Sequence, residues 1–427
     1  MKKIFLIAGL FILLNTNAQV AKVGEPLPEW KAGWLDLHHI NTGRGNAAYY
    51  IFPDGTTMLL DAGEMDPTNP RTTSRRNTPI RPDDSRPPYE WIVNYIKQVA
   101  PQQNNKGIDY ALITHFHDDH FGSFYPQAPL SSDKKFVLTG ITGVGDLLPF
   151  RFLLQRDDHY PVPLATILKR LPQDNHYRQT WYNYQSFINV ASTKGTQVQY
   201  FKAGSRTQVG LLHDKSYKDF YVQNIKSNGW IWTGKDTSTT QHFPAIDTSN
   251  PKTWPDENSL SNALVIHYGN FSYYTGGDNP GNVFLGDPEW RDVETPMAKV
   301  IGAVDIATMD HHGNRDAVNA NMVKTLQPNV WIEQVWTADH PGPETLIRVT
   351  SPYLYTAKRD LFATNMMEAT ELVIGPLIQQ SYKSLQGHIL VRVLPGGKQY
   401  YVIIIDDSTP GKLVKAVFGP YEARGKL

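Results

Sequence analysis

From residue 34 onward, short apolar blocks alternate with turn-forming residues. Apolar runs at 35–40, 47–52 and 57–60 are separated by Gly43-Arg44-Gly45 and Pro53-Asp54-Gly55, and the last ends on Asp61-Ala62-Gly63. Runs of that length bounded by glycine and proline predict an opening β-meander. The next stretch, 66–88, is rich in Pro, Arg, Asp and Thr and has no period, which predicts a long surface loop. Tyr89, Ile92, Ile96 and Val99 then recur at helical spacing, and Pro101 stops that helix before an apolar strand at 108–113. Strand, loop, helix, strand is the order of an α/β fold.

The rhythm changes between about 147 and 203. Helical pieces such as 164–171, and an aromatic run rich in Asn and Gln at 177–187, predict a mostly helical insertion within one large domain over 19–427. Aromatic residues at helical spacing read as core, although exposed ones would suit a glycan or polymer fragment. Strands are predicted again at 207–212, 220–225, 263–268, 271–274 and 304–309. A closing hairpin is predicted from 389–394, Pro395-Gly396-Gly397 and 400–405. His38 and His39 alternate on the first strand, so one is expected to face the core and the other solvent. Neither is assigned a role.

The N-terminus adds a destination. Met1-Lys2-Lys3, an apolar run at 4–14 and Asn15-Thr16-Asn17-Ala18-Gln19 predict a secretory signal peptide over 1–18, and so export to a periplasmic or extracellular compartment. No other stretch approaches membrane-spanning length. The chain has no cysteine, which excludes disulfides, lipoprotein acylation and Cys-ligated zinc. Lys plus Arg and Asp plus Glu both total 41, so there is no basic excess and no strong sign of nucleic-acid binding. The expected partner is a small molecule or polymer fragment.

The chemistry concentrates in Thr114-His115-Phe116-His117-Asp118-Asp119-His120, where three imidazoles and two carboxylates follow the strand at 108–113. Imidazole nitrogen and carboxylate oxygen suit zinc and similar borderline metals, and a turn leaving a strand can aim such side chains at one region. One ion cannot easily use all of them. With His115 and His117 directed one way and Asp119 and His120 another, the expected product is a pair of metals sharing a water, an arrangement suited to hydrolysis. Two later segments also fall at strand ends: Asp278, after Thr275-Gly276-Gly277, and His311-His312-Gly313. Strand-end loops on one edge of a layered α/β fold converge, and ligands bind there.

Asp61-x-Gly63, His115-x-His117-x-Asp119-His120, Thr275-Gly276-Gly277-Asp278 and His311-His312-Gly313 together resemble the motifs of the metallo-β-lactamase superfamily of hydrolases, in that family's order. Within it, the chain is most similar to the corresponding domain of the competence protein ComEC. The similarity rests on Gly43-Arg44-Gly45-Asn46, Phe52-Pro53-Asp54-Gly55, Leu60-Asp61-Ala62-Gly63, Glu257-Asn258-Ser259-Leu260 and His340-Pro341. The resemblance implies a four-layer αββα sandwich of the metallo-β-lactamase type with two divalent metals, zinc favoured, along one edge. It implies that His115 and His117 bind the first metal, that Asp119 and His120 bind the second, and that Asp278 bridges them. One of the His pair completes the second site, and His312 is preferred because a residue directly before glycine has the freer backbone. Asp119 is also expected to take part in catalysis, and Asp61 is expected to orient a ligand imidazole.

The chain departs from the family pattern in three places, the mildest being Gly122-Ser123 where Gly-Gly is common. No Gly-His turn lies between the first cluster and Asp278. His213 and His242 fall in that interval without the context, and Asn46 replaces an Asp. His340, at a strand end and with an imidazole that ordinarily titrates near neutrality, is the expected proton donor. The leading expectation is a secreted metal-dependent hydrolase of a phosphodiester. A lactone or β-lactam hydrolase comes second, disfavoured by the absent cysteine and absent Gly-His turn. A non-catalytic envelope binding protein comes third, since it would have shed ligands that this chain keeps.

Overall fold

The computed structural model describes residues 20–102, 106–284 and 286–425. The predicted signal peptide lies outside them. Six strands open the chain: β1 (Leu35–His39), β2 (Ala47–Ile51), β3 (Thr57–Ala62), β4 (Ile108–Leu112), β5 (Phe150–Gln155) and β6 (Gln197–Tyr200). Nine more follow: β7 (Phe220–Ser227), β8 (Trp230–Trp232), β9 (Thr239–Gln241), β10 (Ala263–Tyr268), β11 (Phe271–Thr275), β12 (Ile306–Thr308), β13 (Val330–Glu333), β14 (Asp360–Ala363) and β15 (Tyr382–Ser384). The chain ends with β16 (His388–Val393), β17 (Gln399–Ile405) and β18 (Val414–Glu422). These form two nine-stranded sheets, ordered β18-β17-β16-β1-β2-β3-β4-β5-β6 and β15-β14-β13-β12-β11-β10-β7-β8-β9.

Side-chain alternation along the strands builds the layers. Tyr49, Ile51 and Leu59 face outward from the first sheet, onto Tyr89, Ile92 and Ile96 of the helix Pro88–Val99 and Trp181 and Phe187 of the helix His176–Thr193. Their neighbours Tyr50, Phe52 and Leu60 face inward and meet Leu264, Ile266, Tyr273, Ile306 and Ile332 of the second sheet. That sheet's outer residues, Val265, Tyr274, Ala307 and Trp331, pack on Met297, Met322, Val323 and Leu346 from three further helices. The result is the four-layer order helix, sheet, sheet, helix. The period of two sends alternate residues to different cores, and each fully buried large apolar side chain contributes roughly 1.5–3 kcal/mol.

Three expectations change. Both His38 and His39 are buried, because β1 lies mid-sheet and is covered on both faces. His38 Nδ1 stands 3.0 Å from the Tyr95 hydroxyl in the helix layer, and His39 Nε2 stands 3.3 Å from the Tyr273 hydroxyl in the opposite sheet. The segment 147–203, predicted to be mostly helical, does contain the helices Leu164–Leu168 and His176–Thr193, but it also holds β5 and β6, both paired in parallel with the first sheet. Phe-Arg-Phe-Leu-Leu-Gln in β5 is too short and apolar for its period to separate strand from helix. The run 207–212 is not a strand. The backbone N–H groups of Leu212 and His213 are instead taken by the side chains of Thr56 and Asp54, at 2.8 and 2.9 Å.

The first sheet is parallel from β3 through β6, and the second from β11 through β15. The C-terminal ends of β3, β4, β11, β12 and β13 deliver the chemically active residues. Among the described residues, no helix is long and apolar enough to cross a membrane.

Candidate metal centre

The turn after β4 is held by a buried carboxylate. Asp61, at the end of β3, accepts hydrogen bonds from the Thr114 backbone N–H and hydroxyl at 2.7 and 2.8 Å, and stands 2.8 Å from His120 Nδ1. With Nδ1 tied to Asp61, the ring can turn only its Nε2 toward the other cluster residues. Gly63 lets the turn approach, since a Cβ at that position would lie 2.0 Å from the Asp119 carbonyl oxygen. That carbonyl also accepts the Asn46 N–H at 2.7 Å, so Asn46 serves the turn through its backbone.

Asp278 follows β11 across Gly277, whose φ of 62° and close approach to Thr114 favour glycine. The Asp278 carboxylate is the hub of the cluster. Its Oδ1 stands 3.1 Å from His120 Nε2, and its Oδ2 stands 3.6 Å from His312 Nε2, 3.8 Å from His115 Nε2 and 3.9 Å from His311 Nε2. Asp119 Oδ2 lies 3.0 Å from His312 Nε2 and accepts the Trp336 indole N–H at 3.0 Å. His312 Nδ1 is 2.9 Å from the Gln334 carbonyl oxygen, which turns Nε2 into the cluster.

Asp119, His120, Asp278 and His312 offer ligand atoms all within 4.8 Å of one another. His115 adjoins them through Asp278, and His117 Nδ1 stands 3.1 Å from His115 Nε2. His340 stacks on His312, with ring centroids 4.7 Å apart and 12° between planes, and its Nδ1 has no hydrogen-bond partner among the described residues. His213 and His242, the two histidines weighed in the interval before Asp278, lie elsewhere: His242 on the Trp290 carbonyl at 2.8 Å, and His213 beside Asp109 at 3.5 Å.

The residues fit a divalent ion. Among the described residues, no aligned hydrogen bond satisfies His120 Nε2 or Asp278 Oδ1, although the two atoms stand 3.1 Å apart. Burial works against charge on His120, but Asp278, Asp119 and Asp61 together hold its pKa well above the ordinary value. The same balance, with Asp278 first among the carboxylates, pushes His312 up to about 10. The cluster thus collects protons where a cation would neutralise the same carboxylates, and binding a metal would expel them. His115 is driven the other way, first by burial and then by His120, so it is a neutral imidazole ready to ligate. Two nitrogens and two carboxylate oxygens suit zinc, iron or manganese.

A cleft of about 540 Å³ opens on the cluster, lined by Asp119, both residues of the His pair, Trp336, His340 and, from the long loop, Arg71 and Arg76. His117 borders a separate, smaller cavity of about 200 Å³ with Leu164, Leu168, Tyr177 and Trp181. Sequence reasoning missed Trp336, Gln334 and Asp316. The available signal was position, since Gln334 and Trp336 directly follow β13 and Asp316 lies four residues beyond His312.

His311 and His312 are both left-handed, with φ of 45° and 53°. Such backbone costs roughly 1–3 kcal/mol per non-glycine residue and persists where the surroundings over-determine it.

No family model matches this chain, and no curated protein does. Among solved structures, a candidate metal-dependent hydrolase from Parabacteroides distasonis aligns at 11% identity and a TM-score of 0.35, covering 78% of this chain and 94% of its own. CmlA, a diiron beta-hydroxylase from Streptomyces venezuelae, aligns at 12% identity and a TM-score of 0.36 over 87% of this chain and 55% of its own, so this chain spans about half of that protein. Superpositions this loose carry no activity over to the chain.

Proposed function

We propose that this chain is a metal-dependent hydrolase acting on a phosphodiester-type substrate, with zinc the favoured ion. The observation that carries the reading is the convergence of Asp119, His120, Asp278 and His312 beside a cleft that Asp119 and His312 line. Two divalent ions bound there would act as Lewis acids and lower the pKa of water toward neutrality. The chain's own residues do the rest. Asp278 faces four imidazoles and would be a ligand to both ions. Asp61, Trp336 and Gln334 lock the orientation of His120, Asp119 and His312.

His340 donates a hydrogen bond, without transferring its proton, to the leaving oxygen in this reading. Burial first, then the neighbouring His312 and His311, hold its pKa well below the usual imidazole value, so its ordinary titration range does not apply. The free protein therefore presents it as a neutral ring whose N–H can donate to charge developing on the leaving group. Arg71 at the cleft wall favours an anionic diester over an uncharged lactone, while Arg76 beside it is paired with Asp339 at 3.2 Å. Export through the 1–18 segment belongs to the same reading.

The test is turnover of the metal-replete protein on bis(p-nitrophenyl) phosphate, nitrocefin and a simple lactone. The diester is expected to give the highest kcat/KM, lost on chelation and restored by metal. Faster turnover of nitrocefin or the lactone would transfer the assignment to that class.

A further inference from the structure

The chain lacks the additional histidine expected on a Gly-His turn, and neither His213 nor His242 approaches the cluster. We propose that His311 fills that position, ligating the first metal with His115 and Asp278 while His312 serves the second, so that the adjacent histidines divide between two ions. This inference rests on the metal-dependent reading above.

Geometry carries the assignment. His311 Nε2 stands 3.9 Å from Asp278 Oδ2, the oxygen that His115 Nε2 approaches to 3.8 Å. Donors sharing a tetrahedral ion with bonds of about 2.0–2.1 Å stand roughly 3.4 Å apart, so both separations need to close by only about half an ångström. His311 is also held as ligand imidazoles are held. Its Nδ1 lies 2.8 Å from the Asp316 carboxylate, which fixes the tautomer and leaves the Nε2 lone pair facing Asp278. The Asn258 amide nitrogen, 3.2 Å away, donates to that lone pair.

The backbone points the same way. A φ of 45° at His311 directly before one of 53° at His312 brings two consecutive rings, with centroids 6.2 Å apart, to one carboxylate oxygen. The strained pair is pinned at its start by the His311 N–H on the Gly277 carbonyl at 3.0 Å, beside Asp278 itself. A solvated loop histidine would need neither the strain nor the carboxylate behind it.

The test is metal titration of the stripped full-length protein, with cobalt(II) absorption to count occupied sites and a competing chromogenic chelator to give affinities. Wild type is expected to take two equivalents. His311→Gly removes the ring at a position whose φ suits glycine, so folding, checked by circular dichroism, should survive. The variant should keep one equivalent near wild-type affinity and bind the other at least about a hundredfold more weakly. Asp316→Asn leaves the ligand but loosens its orientation, and should weaken that same equivalent by roughly 10–100-fold.

A His311→Gly protein that binds two equivalents with wild-type affinities would overturn the inference and leave the metal-dependent reading standing. Loss of both equivalents from the folded variant would overturn the division between two ions. A wild-type protein that takes up no metal would overturn this inference together with the reading beneath it.

Discussion

Asp278→Ala is expected to remove metal from both positions and take hydrolysis to background. The carboxylate is the group shared by His120 through Oδ1 and by His115, His311 and His312 through Oδ2. Losing an orienting partner of a ligand typically costs 10–100-fold in affinity, so losing the shared ligand should cost more than about a hundredfold for each ion. The fold should survive. No aligned hydrogen bond among the described residues depends on Asp278 Oδ1. Although desolvation opposes its charge, His120, His312 and His311 hold its pKa well below the usual carboxylate range, so the fold survives because those imidazoles can neutralise in turn. Without that charge, His120 and His312 lose the first of the carboxylates raising their pKa values and can stand neutral. Elemental analysis and a melting curve of the variant check both halves. Two retained equivalents would show that Asp278 is not shared.

The second large effect belongs to His340. If its ring donates a hydrogen bond to the leaving oxygen, His340→Ala should keep both metals and lose roughly a hundredfold in turnover of an alkyl phosphodiester, the scale of losing one hydrogen-bond donor to a developing oxyanion. A substrate that releases p-nitrophenolate needs little help and should be nearly spared. Equal losses on both substrates would assign His340 to positioning, through its stack on His312 at 4.7 Å and its edge contact with Trp336 at 5.5 Å. Wild-type rates on both would remove it from the mechanism.

The parts of this site legible in the chain are those where chemistry and local pattern coincide. Strand, turn, then His-x-His-x-Asp-His can be read because period-two apolar runs end where the ligand types begin, and the same reasoning finds Asp278 and the His pair at their own strand ends. Contacts between segments distant in sequence are not legible in that way. Nothing local to Trp336 says that its indole meets Asp119, 217 residues earlier in the chain. Asp316 gains its meaning only from the left-handed backbone that turns His311 back toward it. His38 and His39 show the converse limit, since alternation gives two faces but not whether each face is covered. The parallel strands β5 and β6 were obscured by the helix between them, where Trp181, Tyr184 and Phe187 carry a strong helical signal.

Metal content bears most directly on the central claim. The mature protein, expressed with ample zinc and purified without chelator, should hold close to two equivalents of transition metal by elemental analysis, because two ions can share Asp278 between the surrounding imidazoles and Asp119. Less than about half an equivalent of any transition metal would contradict the account, since the convergence of Asp119, His120, Asp278 and His312 would then have to be explained without a cation.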